Sequence, residues 1–124
     1  MNNKKKVLIV DDDNNLRKVL IDQLNISGFE TYGAQNGEEG LQKALEIHPN
    51  VILLDIQMPK MDGWQVLEKL RADAWGKDAK VMMLTSSDQM DNVAHAMESS
   101  VYTYIVKSNL KLEDIVEKIK GTGK

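Results

Sequence analysis

The feature that most restricts this chain is an alternation. Short unbroken apolar runs, each ending on a polar side chain, take turns with longer stretches whose apolar residues recur at helical spacing. Val7-Leu8-Ile9-Val10 stops at Asp11, and Val51-Ile52-Leu53-Leu54 stops at Asp55. Val81-Met82-Met83-Leu84 stops at Thr85, and Tyr104-Ile105-Val106 stops at Lys107. A strand with one wet face alternates polar and apolar residues, so an unbroken run calls for cover on both faces. Phe29 to Ala34 alternates weakly and reads as a further strand nearer an edge.

The intervening stretches predict helices. Leu16, Val19, Leu20 and Leu24 give a first inward face that stops at Gly28. Asn36 reads as an N-cap with Glu39 as its reciprocal partner, opening a second helix to about Ile47 with Leu41, Ala44 and Leu45 inward. His48-Pro49-Asn50 is a turn. Asp62-Gly63 caps and opens a third helix carrying Trp64, Val66, Leu67 and Leu70. A fourth is expected from about Asp88 to Glu98, with Ser86 and Gln89 spaced as a capping box. Leu112, Ile115, Val116 and Ile119 share one face of the last. Five βα units with right-handed crossovers predict an α/β fold, a doubly wound five-stranded parallel sheet of flavodoxin type, (βα)5, with strand order 2-1-3-4-5.

These units use nearly all of the 124 residues, so a single domain over 1–124 is expected, its core about 5–120, with no effector domain. Lys plus Arg total 16 against 19 Asp plus Glu, a net charge of −3 that argues against a direct nucleic-acid footprint. Cysteine is absent, which excludes disulfides, thiolate metal sites and a cysteine nucleophile. No run approaches the ~18 apolar residues of a membrane span. The basic start, Met1 to Lys6, is followed by only four apolar residues, too few for a secretory signal, so membrane insertion is not expected and the cytoplasm is the expected compartment.

In open parallel sheets, ligands bind beyond the carboxyl ends of the strands. Here those ends deliver Asp11 and Asp12, Asp55, Thr85 and Lys107 to one rim. Converging carboxylates repel one another and raise each other's pKa, a penalty that a hard dication with oxygen ligands removes. Mg²⁺ suits a site with few carboxylates and several waters. Asp12 and Asp55 are the candidate direct ligands, Asp11 can hold a coordinated water, and a backbone carbonyl near Gln57 can complete the shell. An aspartate can act as a nucleophile and carry a phosphoryl group, with a cation and a lysine offsetting charge on the equatorial oxygens and Thr85 donating to one of them.

The runs Val-Leu-Ile-Val-Asp-Asp-Asp (7–13), Leu-Asp-Ile-Gln-Met-Pro-Lys-Met-Asp-Gly (54–63), Met-Leu-Thr-Ser (83–86) and Tyr-Ile-Val-Lys-Ser (104–108) together resemble the receiver domain of bacterial two-component response regulators. The resemblance implies that Asp55 is the phosphoacceptor and that Asp11 and Asp12 are the acidic pair, with Asp12 a direct Mg²⁺ ligand. It implies that Gln57 gives its carbonyl to the metal, that Thr85 and Lys107 contact the phosphoryl group, and that Tyr104 is a switch residue coupled to Thr85. A sensor histidine kinase or histidine phosphotransfer protein is the implied donor. The implied output is a downstream protein contacted through the fourth helix, fifth strand and last helix, as in stand-alone chemotaxis or sporulation receivers. A phosphorylation-dependent dimer is left open. The chain would catalyse only its own phosphorylation and dephosphorylation.

Two positions depart from that family. Ser108 stands where a proline usually follows the lysine, often with a cis peptide, and a cis bond to a non-proline residue costs about 2.5–4 kcal/mol. Ser100-Val101 replaces a common Gly-Ala pair. Both bear on the loops around the fifth strand, not on the acceptor.

The alternative is a haloacid-dehalogenase-like phosphatase using Asp11 as nucleophile, since Asp11-x-Asp13 follows a strand. Asn15 stands where that motif usually has Thr or Val, and there is little room for a cap domain. A flavodoxin-like cofactor binder lacks its Ser/Thr/Gly-rich loop, and a GTPase lacks Gly-x-x-x-x-Gly-Lys. Asp13 reads as a helix cap, His48 and His95 as surface residues, and the seven methionines mostly as core filler.

Overall fold

The computed structural model describes residues 4–85, 101–107 and 110–121. Five parallel strands form one sheet in the order β2-β1-β3-β4-β5. They are β1 (Lys6–Val10), β2 (Glu30–Ala34), β3 (Val51–Asp55), β4 (Val81–Thr85) and β5 (Thr103–Val106). Helix α1 spans Asn14–Ile26, α2 Gly37–Ile47 and α3 Gly63–Arg71, with a C-terminal helix at Leu112–Lys120. The helix expected over 88–98, with its Ser86/Gln89 box, lies outside the described residues, as do Ser100, Ser108 and His95. The Lys107–Ser108 peptide falls there too.

Side-chain alternation along the central strands sorts the core into two layers. Val7, Ile9 and Leu53 point to one face, where Leu20 and Leu24 of α1 and Ile115 and Ile119 of the C-terminal helix cover them. Leu8, Val10, Ile52 and Leu54 point to the other, under Ala44 of α2 and Val66, Leu67 and Leu70 of α3. Both faces of β1 and β3 are therefore dry, which is why those sequences read as unbroken apolar runs. Edge strand β2 is only half-buried through most of its length, matching its weak alternation.

Two expected core positions face water instead. Val19 is 46% exposed and Leu45 37% exposed. The α1 stripe centres on Leu16, Leu20 and Leu24, four residues apart, with Ile21 packed on its flank; Val19 lies beyond the opposite edge of that stripe. On α2 the contact is made by small residues, Gly37, Gly40 and Ala44, all buried. A Cβ on Gly40 would sit 2.6 Å from Val10 Cγ1, so the helix lies directly on β1 and its docking turns Leu45 outward.

The caps differ in detail from their sequence signatures. Asn36 Oδ1 accepts from Glu39 N–H at 2.8 Å as expected. Glu39, however, accepts from the Gln35 N–H at 3.0 Å rather than from that of Asn36, so the reciprocal bond lands one residue earlier. Asp62 and Gln65 form a complete capping box on α3. Asp13 caps α1, accepting from the N–H groups of Asn15 and Leu16. Gly28, at φ +98°, makes the exit from α1 toward β2. His48 ends α2 in the left-handed region, and its ring stacks on Trp75 at 4.4 Å. No described helix is long and apolar enough to cross a membrane.

Candidate functional site

The parallel register decides which polar strand ends meet. Val10 pairs with Leu54 and Asp55 with Leu84, so the residue after Val10 lies beside the last residue of β3. That residue is Asp11, whose N–H donates to the Ala34 carbonyl of β2 at 3.1 Å. Thr85 pairs with Val106, which places Lys107 just beyond Thr85 on the same rim. Four strands thus bring Asp11, Asp55, Thr85 and Lys107 together although nearly a hundred residues separate the first from the last.

Asp11, Asp55 and Thr85 are the buried polar residues of the described chain. Lys107 Nζ lies 3.1 Å from Asp55 Oδ2 and 3.4 Å from Asp11 Oδ2. Asp11 Oδ1 accepts from the Asp13 N–H at 2.9 Å. Its Oδ2 is buried, and its contact among the described residues is the Lys107 ion pair at 3.4 Å. Burial, and then the neighbouring Asp11 charge, raise the Asp55 carboxyl from its ordinary 3.8 to about 7, against the pull of Lys107. Burial acts to lower the Lys107 ammonium, but Asp11 and Asp55 together outweigh it and leave it raised, so it stays charged.

One lysine does not balance this set. Asp11, Asp12 and Asp55 each offer a carboxylate oxygen, all within 4.8 Å of one another. The buried Asp11 carboxylate that shares its one lysine with Asp55, the raised Asp55 carboxyl and the all-oxygen donor set fit a hard divalent cation. Asp12 is exposed and can turn toward it. A pocket of about 250 Å³ opens here, lined by Asp12, Asp13, Asp55, Ile56, Gln57, Thr85 and Lys107. A recess of about 570 Å³ adjoins it past Gln57 and Asp12, walled by Pro59, Asp62 and Trp64. Asp11 lines neither, and it is fully buried, which is poor placement for a nucleophile.

The segment that follows Asp55 is pinned. Gly63 N–H donates to the Ile56 carbonyl at 2.8 Å, and a Cβ on Gly63 would lie 2.5 Å from the Asp55 carbonyl. Lys60 stands at φ +71° while Met61 N–H donates to Pro59 C=O at 2.8 Å, closing a tight turn. Tyr104 packs against the core layer under α3, and its hydroxyl is buried with no hydrogen-bond partner among the described residues. Burial raises that phenol.

Sequence reasoning missed Arg17. Its Nη1 donates to the Asp11 carbonyl at 2.6 Å and its Nη2 to Asn14 Oδ1 at 2.6 Å. The available signal was a cation near the N-terminus of a helix, where the dipole disfavours it.

Comparison with known proteins places residues 7–120 within the family described as "Response regulator receiver domain". The regulatory protein AtoC of Escherichia coli is 34% identical over 102 residues, 82% of this chain and 22% of that protein. A CheY-like receiver domain protein of Methanospirillum hungatei superposes with a TM-score of 0.86 at 32% identity, covering 94% of this chain and 91% of that one. The response regulator TrrA of Thermotoga maritima, solved in complex with Mg²⁺–BeF, gives a TM-score of 0.83 at 32% identity over 95% and 98% of the two chains. The chain spans between 22% and 43% of the length of the first curated relatives it matches.

Proposed function

Because this chain belongs to the response regulator receiver family of two-component signalling, we propose that it switches by accepting a phosphoryl group on Asp55, from a sensor histidine kinase or a histidine phosphotransfer protein. The observation that carries this reading is the Lys107–Asp55 contact of 3.1 Å, inside a pocket that Asp55 lines and Asp11 does not.

An Asp55 carboxylate oxygen attacks phosphorus in line; an O–P bond forms as the P–N bond to the donor imidazole breaks. The ring nitrogen leaves with its electron pair and is protonated. The Lys107 ammonium stands where charge gathers on the phosphoryl oxygens, and Thr85, at the neighbouring strand end, supplies a hydroxyl donor to one of them. Asp12 and Asp55, with the Gln57 carbonyl and with Asp11 directly or through water, would hold Mg²⁺. When bound, that ion neutralises charge on the acceptor and on the transferred group.

The output is a change in the face formed around β5 and the C-terminal helix. Tyr104 is the residue poised to report it, because its buried hydroxyl gains a partner if the ring moves when Thr85 is drawn to the phosphoryl group. A protein target reading that face is the proposed partner.

Acetyl phosphate with Mg²⁺ tests the acceptor. Borohydride reduction and mass spectrometry should place the acid-labile adduct on Asp55, and Asp55→Asn should abolish it. An adduct on Asp11 would overturn the assignment.

A further inference from the structure

We propose that Arg17 is a positioning residue for the acidic cluster, fixing the Asp11–Asp12 peptide and through it the direction of the Asp12 carboxylate. This rests on reading Asp11, Asp12 and Asp55 as a divalent-cation site. Asp12 is exposed, so the direction of its carboxylate follows the backbone that carries it. That backbone is clamped on both sides of Asp11: the N–H by the Ala34 carbonyl at 3.1 Å, the carbonyl by the Arg17 guanidinium at 2.6 Å. The same guanidinium holds Asn14 at the start of α1. Helix formation does not explain it, because a cation in the opening turns of α1 opposes the helix dipole.

The path of the side chain is built into β2. The Arg17 stem crosses the edge strand at Gly33, where a Cβ would come to 2.9 Å from Ile21 Cδ1, 3.4 Å from Arg17 Cδ and 3.7 Å from Arg17 Cγ. A methyl there touches the stem and displaces only the flexible end of Ile21, whereas a β-branched side chain would also occupy the path of the stem. Gly33 and Arg17 therefore form one device, a bare place on the strand and the arm laid across it.

A through-space effect and a positioning effect have opposite signs. Arg17 carries positive charge toward a cation site, so its removal by simple electrostatics should tighten Mg²⁺ binding. Loss of positioning should weaken it, since removing outer partners of metal ligands typically costs ten- to a hundredfold in affinity. The test is the Mg²⁺ concentration that gives half of the Mg²⁺-dependent rise in melting temperature, measured on the full chain against an EDTA baseline. Arg17→Gln should raise that concentration roughly tenfold. Arg17→Lys, which keeps the charge but not the fork, should fall between it and wild type. Gly33→Val should weaken binding with Arg17 present and add little in the Arg17→Gln background. Equal or tighter binding in Arg17→Gln overturns the proposal. If that variant does not fold, unchanged affinity in both Arg17→Lys and Gly33→Val overturns it. A wild-type chain that Mg²⁺ does not stabilise removes the cation site itself, which separates that failure from this one.

Discussion

Asp55 should make the metal-free protein less stable as pH rises, and replacing it with Asn should remove that dependence. The residue is 3% exposed, and its carboxyl is raised from 3.8 to about 7, chiefly by burial and then by Asp11. A raised carboxyl means the folded chain holds the proton more tightly than the unfolded chain does. The stability due to this group is therefore full below about pH 4 and is lost as pH climbs through about 7. At about 1.4 kcal/mol per pH unit the whole effect is on the order of 4 kcal/mol, of which roughly 2–3 kcal/mol falls between pH 5 and pH 8. Asn keeps the shape and cannot ionise. It also loses the Lys107 contact, which shifts the variant by an amount nearly constant over this range because Lys107 stays charged. The quantity to measure is thus the growth of the stability gap, variant minus wild type, from urea denaturation in EDTA at pH 5 and pH 8. We expect the gap to move in favour of Asp55→Asn by ~2–3 kcal/mol. A gap constant to within ~0.5 kcal/mol would show that burial and Asp11 do not hold Asp55 neutral, and the electrostatic argument for a cation site would fall with it.

Three further outcomes follow from other parts of the structure. Trp64 shares a recess with Asp12, so in a Trp75→Phe background Mg²⁺ should quench Trp64 fluorescence, and Asp12→Ala should abolish the quenching; unchanged quenching in Asp12→Ala would remove Asp12 from the ligand set. Gly63→Ala drives a Cβ to 2.5 Å from the Asp55 carbonyl, so the backbone behind the acceptor must shift, and thermal or urea melts should show a loss of about 1–3 kcal/mol. Val19→Lys and Leu45→Lys, both on water-facing positions, should each change stability by less than about 0.5 kcal/mol; a larger loss would mean that those side chains are covered.

The strand ends were legible because a parallel sheet ties sequence to place. Once Val7–Val10, Val51–Leu54, Val81–Leu84 and Tyr104–Val106 are read as strands of one parallel sheet, the residues that follow them must share a rim. Asp11, Asp55, Thr85 and Lys107 needed no knowledge of contacts to be grouped. Helix faces were less legible. Val19 and Leu45 look like core by composition, yet the depth at which a helix docks depends on what it docks with, and Gly40 lying against Val10 turned α2. Glu39 carries the right side chain for a capping box, but its reach was settled by the backbone path at Gln35.

By itself the sequence determined the layered parallel fold, the order in which its strands deliver chemistry to one edge, and the acidic and basic character of that edge. These follow from periodicity and side-chain type, which are local. The tertiary structure decided how the groups act on one another: that Asp11 is sealed while Asp55 lines the pocket, that one lysine serves two buried carboxylates, and that burial holds Asp55 near neutrality. It also decided that an arginine of α1 crosses a glycine of β2 to grip the first carboxylate's backbone. Distances and desolvation belong to the packed chain and not to any segment of it, so no reading of one stretch at a time could supply them.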